Sequence, residues 1–272
     1  MEKQRNTEDF PLVRMIKGIL KGSNASDEDK RIIIQKINEE ISQKPFKVAV
    51  IGQGGVGKTS MMQTVFGIKH GRIKSVAEGT LQEKTYDFAA GFTLKVTDFP
   101  GLNNDYRKDE QVYIPLYKKT LPENDLIMYV MDVNKAIGDD IQILRDIVIP
   151  TCKAAGKERN IVIVLNKVDT VAQNYPDYHT DRSLRWDIVN NLPTERLYNL
   201  IMMRVDDIKK KFEEEGILAD IDSKQIPEIS AIHAYNQKGV IDAILNSERG
   251  WIFLGSIAAS VMAKPSELRM KK

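Results

Sequence analysis

The chain has a single cysteine, Cys152, in 272 residues. That excludes an intramolecular disulfide, argues against a zinc cluster and suits a reducing compartment. Cys152 itself reads as a small buried apolar residue. Charge of one sign is also lacking, since 40 basic residues face 38 acidic ones for a net +2. No global field therefore calls for DNA or an anionic membrane, and any such contact must come from a local patch. No apolar run approaches the ~20 residues that span a bilayer. The charged start Met1-Glu2-Lys3-Gln4-Arg5 leads into no apolar core of a secretory signal. These absences predict a cytoplasmic protein, at most peripheral to a membrane. The length, with 42% hydrophobic and 29% charged residues, suffices for one large domain with appended helices.

What is present is organised around Gly52-Gln53-Gly54-Gly55-Val56-Gly57-Lys58-Thr59, followed by Ser60. This is a G-x-x-x-x-G-K-T phosphate loop in the right surroundings. The apolar run Phe46–Ile51 before it has consecutive Val48, Ala49, Val50 and Ile51, as in a strand covered on both faces of a parallel sheet. A helical pattern with Met61, Met62 and Val65 follows. The glycines let the backbone wrap a phosphate with its N–H groups inward, and the helix adds its positive end. Lys58 is expected to reach the β- and γ-phosphates, and the Thr59 hydroxyl to hold Mg²⁺.

Residues 7–43 read as two helices, the second with Ile33, Ile34, Ile37 and Ile41 on one face. They are either structural cover for the nucleotide domain or an interaction arm. Past the phosphate loop, residues 83–90 and 92–97 read as an antiparallel strand pair turning at Gly91. They lead to Asp98-Phe99-Pro100-Gly101. An Asp at a strand end near the phosphate-loop Thr is placed to bind Mg²⁺ through water, and Gly101 leaves an N–H for the γ-phosphate. Leu126–Asp132 is another buried strand, and residues 139–149 form a helix with Ile141, Leu144, Ile147 and Val148 inward, extended past Pro150.

Residues 161–165 are the most strand-like run, delivering Asn166-Lys167-Val168-Asp169. The Asp169 carboxylate can accept two N–H bonds from the guanine edge, which adenine does not supply. Asn166 braces the loop and the Lys167 stem lies over the ring. Residues 170–225 form a long insertion. It is aromatic and polar at first (Tyr175, Tyr178, Trp186), then helical over 194–215 with Leu197, Leu200, Ile201, Val205, Ile208 and Phe212 on one face. His179, with no carboxylate–histidine cluster around it, reads as a surface residue. Residues 226–231 form a last strand and loop, whose Ser230-Ala231 turn can offer backbone N–H groups to guanine O6. A helix over 238–246 closes the domain. The tail, apolar over 251–263 and then basic, is too short to cross a bilayer. It is open to docking on the domain, a partner interface or a membrane surface.

This ordered set of motifs resembles the Ras-like P-loop GTPases of the translation-factor-related class, and within it the Era-type branch, including YeeP- and YfjP-like members. The resemblance covers about residues 45–246. It implies a three-layer α/β fold with a mostly parallel six-stranded sheet and helices on both faces, flanked by helical extensions over 1–44 and 247–272. It further implies a GTP/GDP site with Mg²⁺ held by Thr59, Thr80 and Asp98. Thr80 would be the switch threonine, with Thr85 as the fallback, and Lys58, Thr80 and Gly101 the catalytic set. Two departures stand out. Leu102 occupies the position where many members carry a water-orienting Gln, and Gly55 the position where cation-dependent relatives carry an Asn. The resemblance therefore implies slow hydrolysis, raised by an activating protein or a second copy of the chain. Residues after Asn246 are too few for an Era-type RNA-binding KH domain and hold no G-x-x-G loop, so the tail does not support RNA or ribosome binding. Three functions stay open: a GTP-hydrolysing switch, a nucleotide-holding regulatory module with negligible turnover, and a membrane-associated assembly GTPase.

Overall fold

A computed structural model describes residues 46–66, 72–73, 82–87, 93–98, 112 and 114–247. The expected helical extension over 1–44 lies outside them, as does that over 247–272 apart from Ser247, and so do Thr80, Gly101 and Leu102.

The centre is a sheet built from β1 (Phe46–Ile51), β2 (Arg72–Ile73), β3 (Gln82–Asp87), β4 (Thr93–Asp98), β5 (Leu126–Asp132), β6 (Ile161–Asn166) and a final strand, Glu228–Ile229. The last is numbered β9, after the hairpin strands β7 (Trp186–Asp187) and β8 (Leu192–Pro193) of the insertion. The spatial order is β2-β3-β4-β1-β5-β6-β9. All neighbours from β4 to β9 run parallel, while β2, β3 and β4 pair antiparallel. The sheet has seven strands rather than six, the addition being the two-residue β2 at the antiparallel edge. The expected strand pair is present as β3 and β4, each starting or ending within a few residues of its predicted bounds. The last strand is shorter than predicted, because Pro227 has no N–H to extend the ladder.

Every residue of β5 and β6 is buried, as are Val48 to Ile51. That two-sided burial explains why these runs are continuously apolar instead of alternating. On one face lie α2 (Ile114–Thr120), α3 (Gly138–Ile143), a π-helical turn (Leu144–Val148), α4 (Ile149–Ala154) and the insertion's long α5 (Glu195–Glu214). They share one core with Ala49, Ile51, Ile127, Tyr129, Ile163 and Leu165. Helical structure continues through Pro150 because it sits in the first turn of α4, where a missing N–H costs little. Cys152 is fully buried there, and burial pushes its thiol up to about 12. The other face carries α1 (Lys58–Phe66) and α6 (Gln237–Asn246), which contact each other and bury Met61, Val65, Val240, Ile241 and Ile244.

α5 starts where Thr194 caps it: its hydroxyl accepts from the Leu197 N–H and donates to the Ser183 carbonyl. Its inward stripe, Leu197, Ile201, Val205, Ile208 and Phe212, is at most 1% exposed. Each such side chain contributes about 1.5–3 kcal/mol of burial, so the insertion is part of the core rather than a loop laid over it. No described helix is long and apolar enough to cross a membrane.

Candidate nucleotide site

Four connections leave the carboxyl ends of parallel strands side by side: 52–57 after β1, 133–137 after β5, 167–171 after β6 and 230–236 after β9. In a doubly wound sheet this is the edge at which ligands bind. The register sets the heights, with Asp132 beside Asn166 and Val50 beside Asp98.

The phosphate loop turns at once after β1, where Gly52 has φ +138° and a Cβ would sit 2.1 Å from the Val130 carbonyl oxygen. Only glycine fits between these two backbones. Gly57, at φ +89°, lies so close to the end of β6 that a Cβ would be 2.5 Å from Asn166 Nδ2. Side-chain donors then cover the loop's carbonyls in sequence. Lys58 Nζ donates to Gly52 and Gln53, each at 3.0 Å, and Lys135 Nζ to Gly54 at 3.0 Å. Lys167 Nζ reaches Gly55 at 2.7 Å, and Asn166 Nδ2 reaches Val56 at 2.8 Å. Thr59 and Ser60 are exposed in the first turn of α1.

Asn166 is 1% exposed and is the tie between loops. While its Nδ2 holds Val56, its Oδ1 accepts the Ala231 N–H at 3.2 Å, and its carbonyl accepts from Val133. Ala231 therefore joins the site, but its N–H braces Asn166 instead of standing free for guanine O6. Ser230 is fully buried, its Oγ accepting from the His233 N–H and its carbonyl from the Tyr235 N–H. Lys167 adopts a left-handed conformation, φ +64°, uncommon for a residue with a side chain. Its carbonyl accepts from the Thr170 N–H, the Thr170 hydroxyl and Asn134 Nδ2, and its ammonium pairs with buried Asp132 at 2.8 Å. This turn carries Asp169, whose Oδ1 is buried and has no hydrogen-bond partner among the described residues. Buried acceptors are nearly always satisfied.

Behind the phosphate loop, Asp140 of α3 is 1% exposed and accepts the Tyr129 hydroxyl at 2.7 Å. Burial raises its carboxyl to about 6, against the pull of Tyr129, the Gln53 amide and the Lys135 ammonium. Gln53 Nε2 is itself buried without a hydrogen bond of regular geometry. Burial likewise raises the Tyr129 hydroxyl well above its usual range.

The phosphate loop, Asn166, Lys167, Asp169, Ser230 and Ala231 thus lie together at the carboxyl edge of the sheet. Asp98 closes β4, two rungs before the loop that begins at Gly52. Thr85 sits mid-strand in β3, opposite Lys95. Sequence reading missed Asp132, Asn134, Lys135, Asp140, Arg204 and Trp186. Asp132, Asn134 and Lys135 had a usable signal, since they follow a buried parallel strand. Arg204 and Trp186 had none, because the path of the insertion brings them in. His179 is exposed, as expected, and the described residues hold no cluster of acids, histidines and cysteine able to bind a metal by themselves.

Residues 47–167 match the family model for the 50S ribosome-binding GTPase. Among curated relatives, the tRNA modification GTPase MnmE of Campylobacter jejuni is 22% identical over 199 residues, 72% of this chain and 42% of that protein. MnmE of Thermoanaerobacter pseudethanolicus is 29% identical over 157 residues, 56% of this chain and 32% of that protein. The chain thus spans less than half the length of these relatives. Among solved structures, Aquifex aeolicus Era bound to GDP·AlF4⁻ has a TM-score of 0.45 at 21% identity, covering 75% of this chain and 57% of that one. The LeoA bacterial dynamin GTPase from ETEC has a TM-score of 0.47 at 15% identity, covering 95% and 45%. The family match runs from β1 to Lys167 and takes in the loops at 52–57 and 133–137, so residues 47–167 resemble the body of a P-loop GTPase domain.

Proposed function

We propose that this chain binds GTP and GDP with Mg²⁺ and hydrolyses GTP to GDP and phosphate, acting as a nucleotide-dependent switch of the Era type. The observation that carries the reading is Asp169 Oδ1, a buried acceptor with no hydrogen-bond partner among the described residues, on a left-handed turn fixed by three hydrogen bonds. Guanine N1–H and N2–H are the donors that suit it, and adenine would leave the charge bare. Lys58 neutralises charge on the β- and γ-phosphates, and the N–H groups of the loop orient them. Mg²⁺ is a hard cation that takes oxygen donors, and the Thr59 hydroxyl with the carboxyl of Asp98 at the end of β4 suits it. When bound, it neutralises phosphate charge. Thr80 and Gly101 are the residues proposed to close on the γ-phosphate and release on hydrolysis.

Titration of the full chain with GTP, GDP and ATP tests this. A preference for guanine of at least about 100-fold is expected, and equal binding of ATP would overturn it. Because Leu102 has no polar group, hydrolysis is slow and rises when an activating protein or a second copy supplies one. Single-turnover hydrolysis over a range of protein concentrations, in sodium and in potassium, checks that. Fast turnover independent of concentration would refute it.

A further inference from the structure

Three lysines lie on successive carbonyls of the phosphate loop, and only two have a role in the reading above. Lys58 belongs to the motif itself. Lys167 belongs to the base-reading turn, and its charge is already balanced by Asp132 at 2.8 Å. Lys135 belongs to neither motif. Its Nζ rests 3.0 Å from the Gly54 carbonyl, and among the described residues no carboxylate lies within ion-pair distance of it.

Lys135 is also held in place with unusual thoroughness for a half-exposed loop residue. Its N–H donates to the Asp132 carbonyl, and the Val133 N–H before it donates to Asn166. Arg204, on the insertion's α5, donates Nε to the Val133 carbonyl at 2.7 Å and Nη2 to the Lys135 carbonyl at 3.1 Å. Asn134 ties the same loop to Lys167 and Thr170. The backbone is fixed from three elements while the ammonium end keeps a neutral, replaceable partner.

The loop's contacts also give it a direction. The base-side Asn166 touches Val56 and crowds Gly57, Lys167 takes Gly55, and Lys135 takes Gly54, one residue farther from the base. A nucleotide whose base lies against Asp169 directs its terminal phosphate away from that end.

We propose that Lys135 is a second phosphate cation: on binding a nucleoside triphosphate, its ammonium leaves the Gly54 carbonyl for an anionic oxygen of the γ-phosphoryl group. A lysine amine is a mobile point charge with three donors, suited to such an exchange. Arg204 is the positioning residue that places it, which makes the insertion part of the phosphate site. This rests on the guanine-nucleotide reading and specifies a residue for it. It concerns charge at the γ-phosphate, not the water-orienting group that Leu102 lacks.

The test compares binding of fluorescent GDP and of a fluorescent, non-hydrolysable GTP analogue, with Mg²⁺, by the full chain and by Lys135→Gln, Lys135→Ala and Lys135→Arg. Loss of one charge-assisted hydrogen bond weakens the analogue about 10- to 100-fold. GDP is expected to weaken by at most about threefold. Gln keeps a donor for the Gly54 carbonyl but no charge, so it should behave as Ala does, and Arg should recover most of the loss. Equal weakening of GDP and analogue would show a structural prop for the loop, and no change in either would show that Lys135 stays on Gly54. Either result overturns the proposal while leaving the guanine reading intact. Failure of the unaltered chain to bind either nucleotide would overturn both.

Discussion

The phosphate loop and the base-reading turn are built on opposite terms. In the first, the side chains of Lys58, Lys135, Lys167 and Asn166 cover five successive carbonyls, from Gly52 to Val56. In the second, an acceptor on Asp169 is buried with no hydrogen-bond partner among the described residues. The difference follows what each half of a nucleotide brings. Phosphates bring negative charge, so cations must be within reach, and an ammonium can exchange a neutral carbonyl for a phosphate oxygen. Guanine brings N–H donors, and a bare buried acceptor costs the empty protein about 1–3 kcal/mol that only a ligand with matching donors returns. On the proposed reading, affinity is concentrated on the phosphate side and specificity on the base side.

The most severe way to break the comparison is at the start of the phosphate loop. In Gly52→Ala the new Cβ must occupy a position 2.1 Å from the Val130 carbonyl oxygen, at a φ of +138° that an L side chain rarely adopts. Val130 belongs to the fully buried β5 and cannot move aside cheaply. We expect binding of every nucleotide to be lost, with destabilisation on the order of 3 kcal/mol, read by GDP titration and urea unfolding. Tight GDP binding by this variant would show that the cradle does not depend on that turn.

Asp169→Asn attacks the other side. The amide keeps one acceptor but sets a donor against the guanine N–H groups. Guanine nucleotides should weaken about 100-fold while ATP, for which the site pays less, gains in relative terms. Competition titration reads the ratio, and an unchanged GTP-over-ATP preference would remove Asp169 from base recognition.

The two halves also differ in how far the sequence discloses them. The phosphate loop and Asn166-Lys167-Val168-Asp169 are contiguous, and each follows an apolar strand, so residue type and spacing are enough to place them. The sheet centre is equally readable, because β1, β5 and β6 are buried on both faces and appear as unbroken apolar runs. α5 was readable from its 3.6-residue stripe. What joins the parts is not readable. Arg204 reaches residues 133 and 135 from about 70 positions away, and the hairpin of β7 and β8 offers only two residues per strand, too few to show an alternation. The π-helical turn before α4 leaves no local signal either.

Asp140 sharpens the phosphate side through its back wall. Its carboxyl titrates near 6 in the folded chain against an ordinary 3.8, so the folded state holds this proton more tightly than the unfolded state. Its contribution to stability is greatest below about pH 4, falls as pH rises between the two values, and is gone above about pH 6. Asp140→Asn removes that dependence, since a neutral amide still accepts the Tyr129 hydroxyl. Relative to the unaltered chain, the variant should gain stability from about pH 4 to pH 7, by up to about 3 kcal/mol. Urea midpoints at each pH read the difference. A constant offset would mean that folding leaves the Asp140 carboxyl at its ordinary pKa.

The smallest effect should come from the seam between the insertion and the base-side loop. Trp186 of β7 stacks on His233, with ring centroids 4.4 Å apart and planes at 13°, and meets Tyr235 edge-on at 5.4 Å. Asn191, the last residue of the hairpin turn, donates to the His233 carbonyl. His233 in turn donates to Ser230 Oγ, and the next residue, Ala231, holds Asn166 Oδ1. The stack thus reaches the base side through Ser230 and Ala231, and the phosphate loop only at one further remove, where Asn166 donates to the Val56 carbonyl. Replacing the stack by Trp186→Leu keeps apolar bulk and loses the ring geometry, worth about 0.5–1.5 kcal/mol. GDP and the GTP analogue should weaken together, by about two- to tenfold, with their ratio unmoved. That is the opposite signature from Lys135, which should change the ratio while leaving GDP nearly alone. A shift in the ratio on removing Trp186 would mean that the hairpin acts on the phosphates as well, and that the two halves of the site are one mechanical unit.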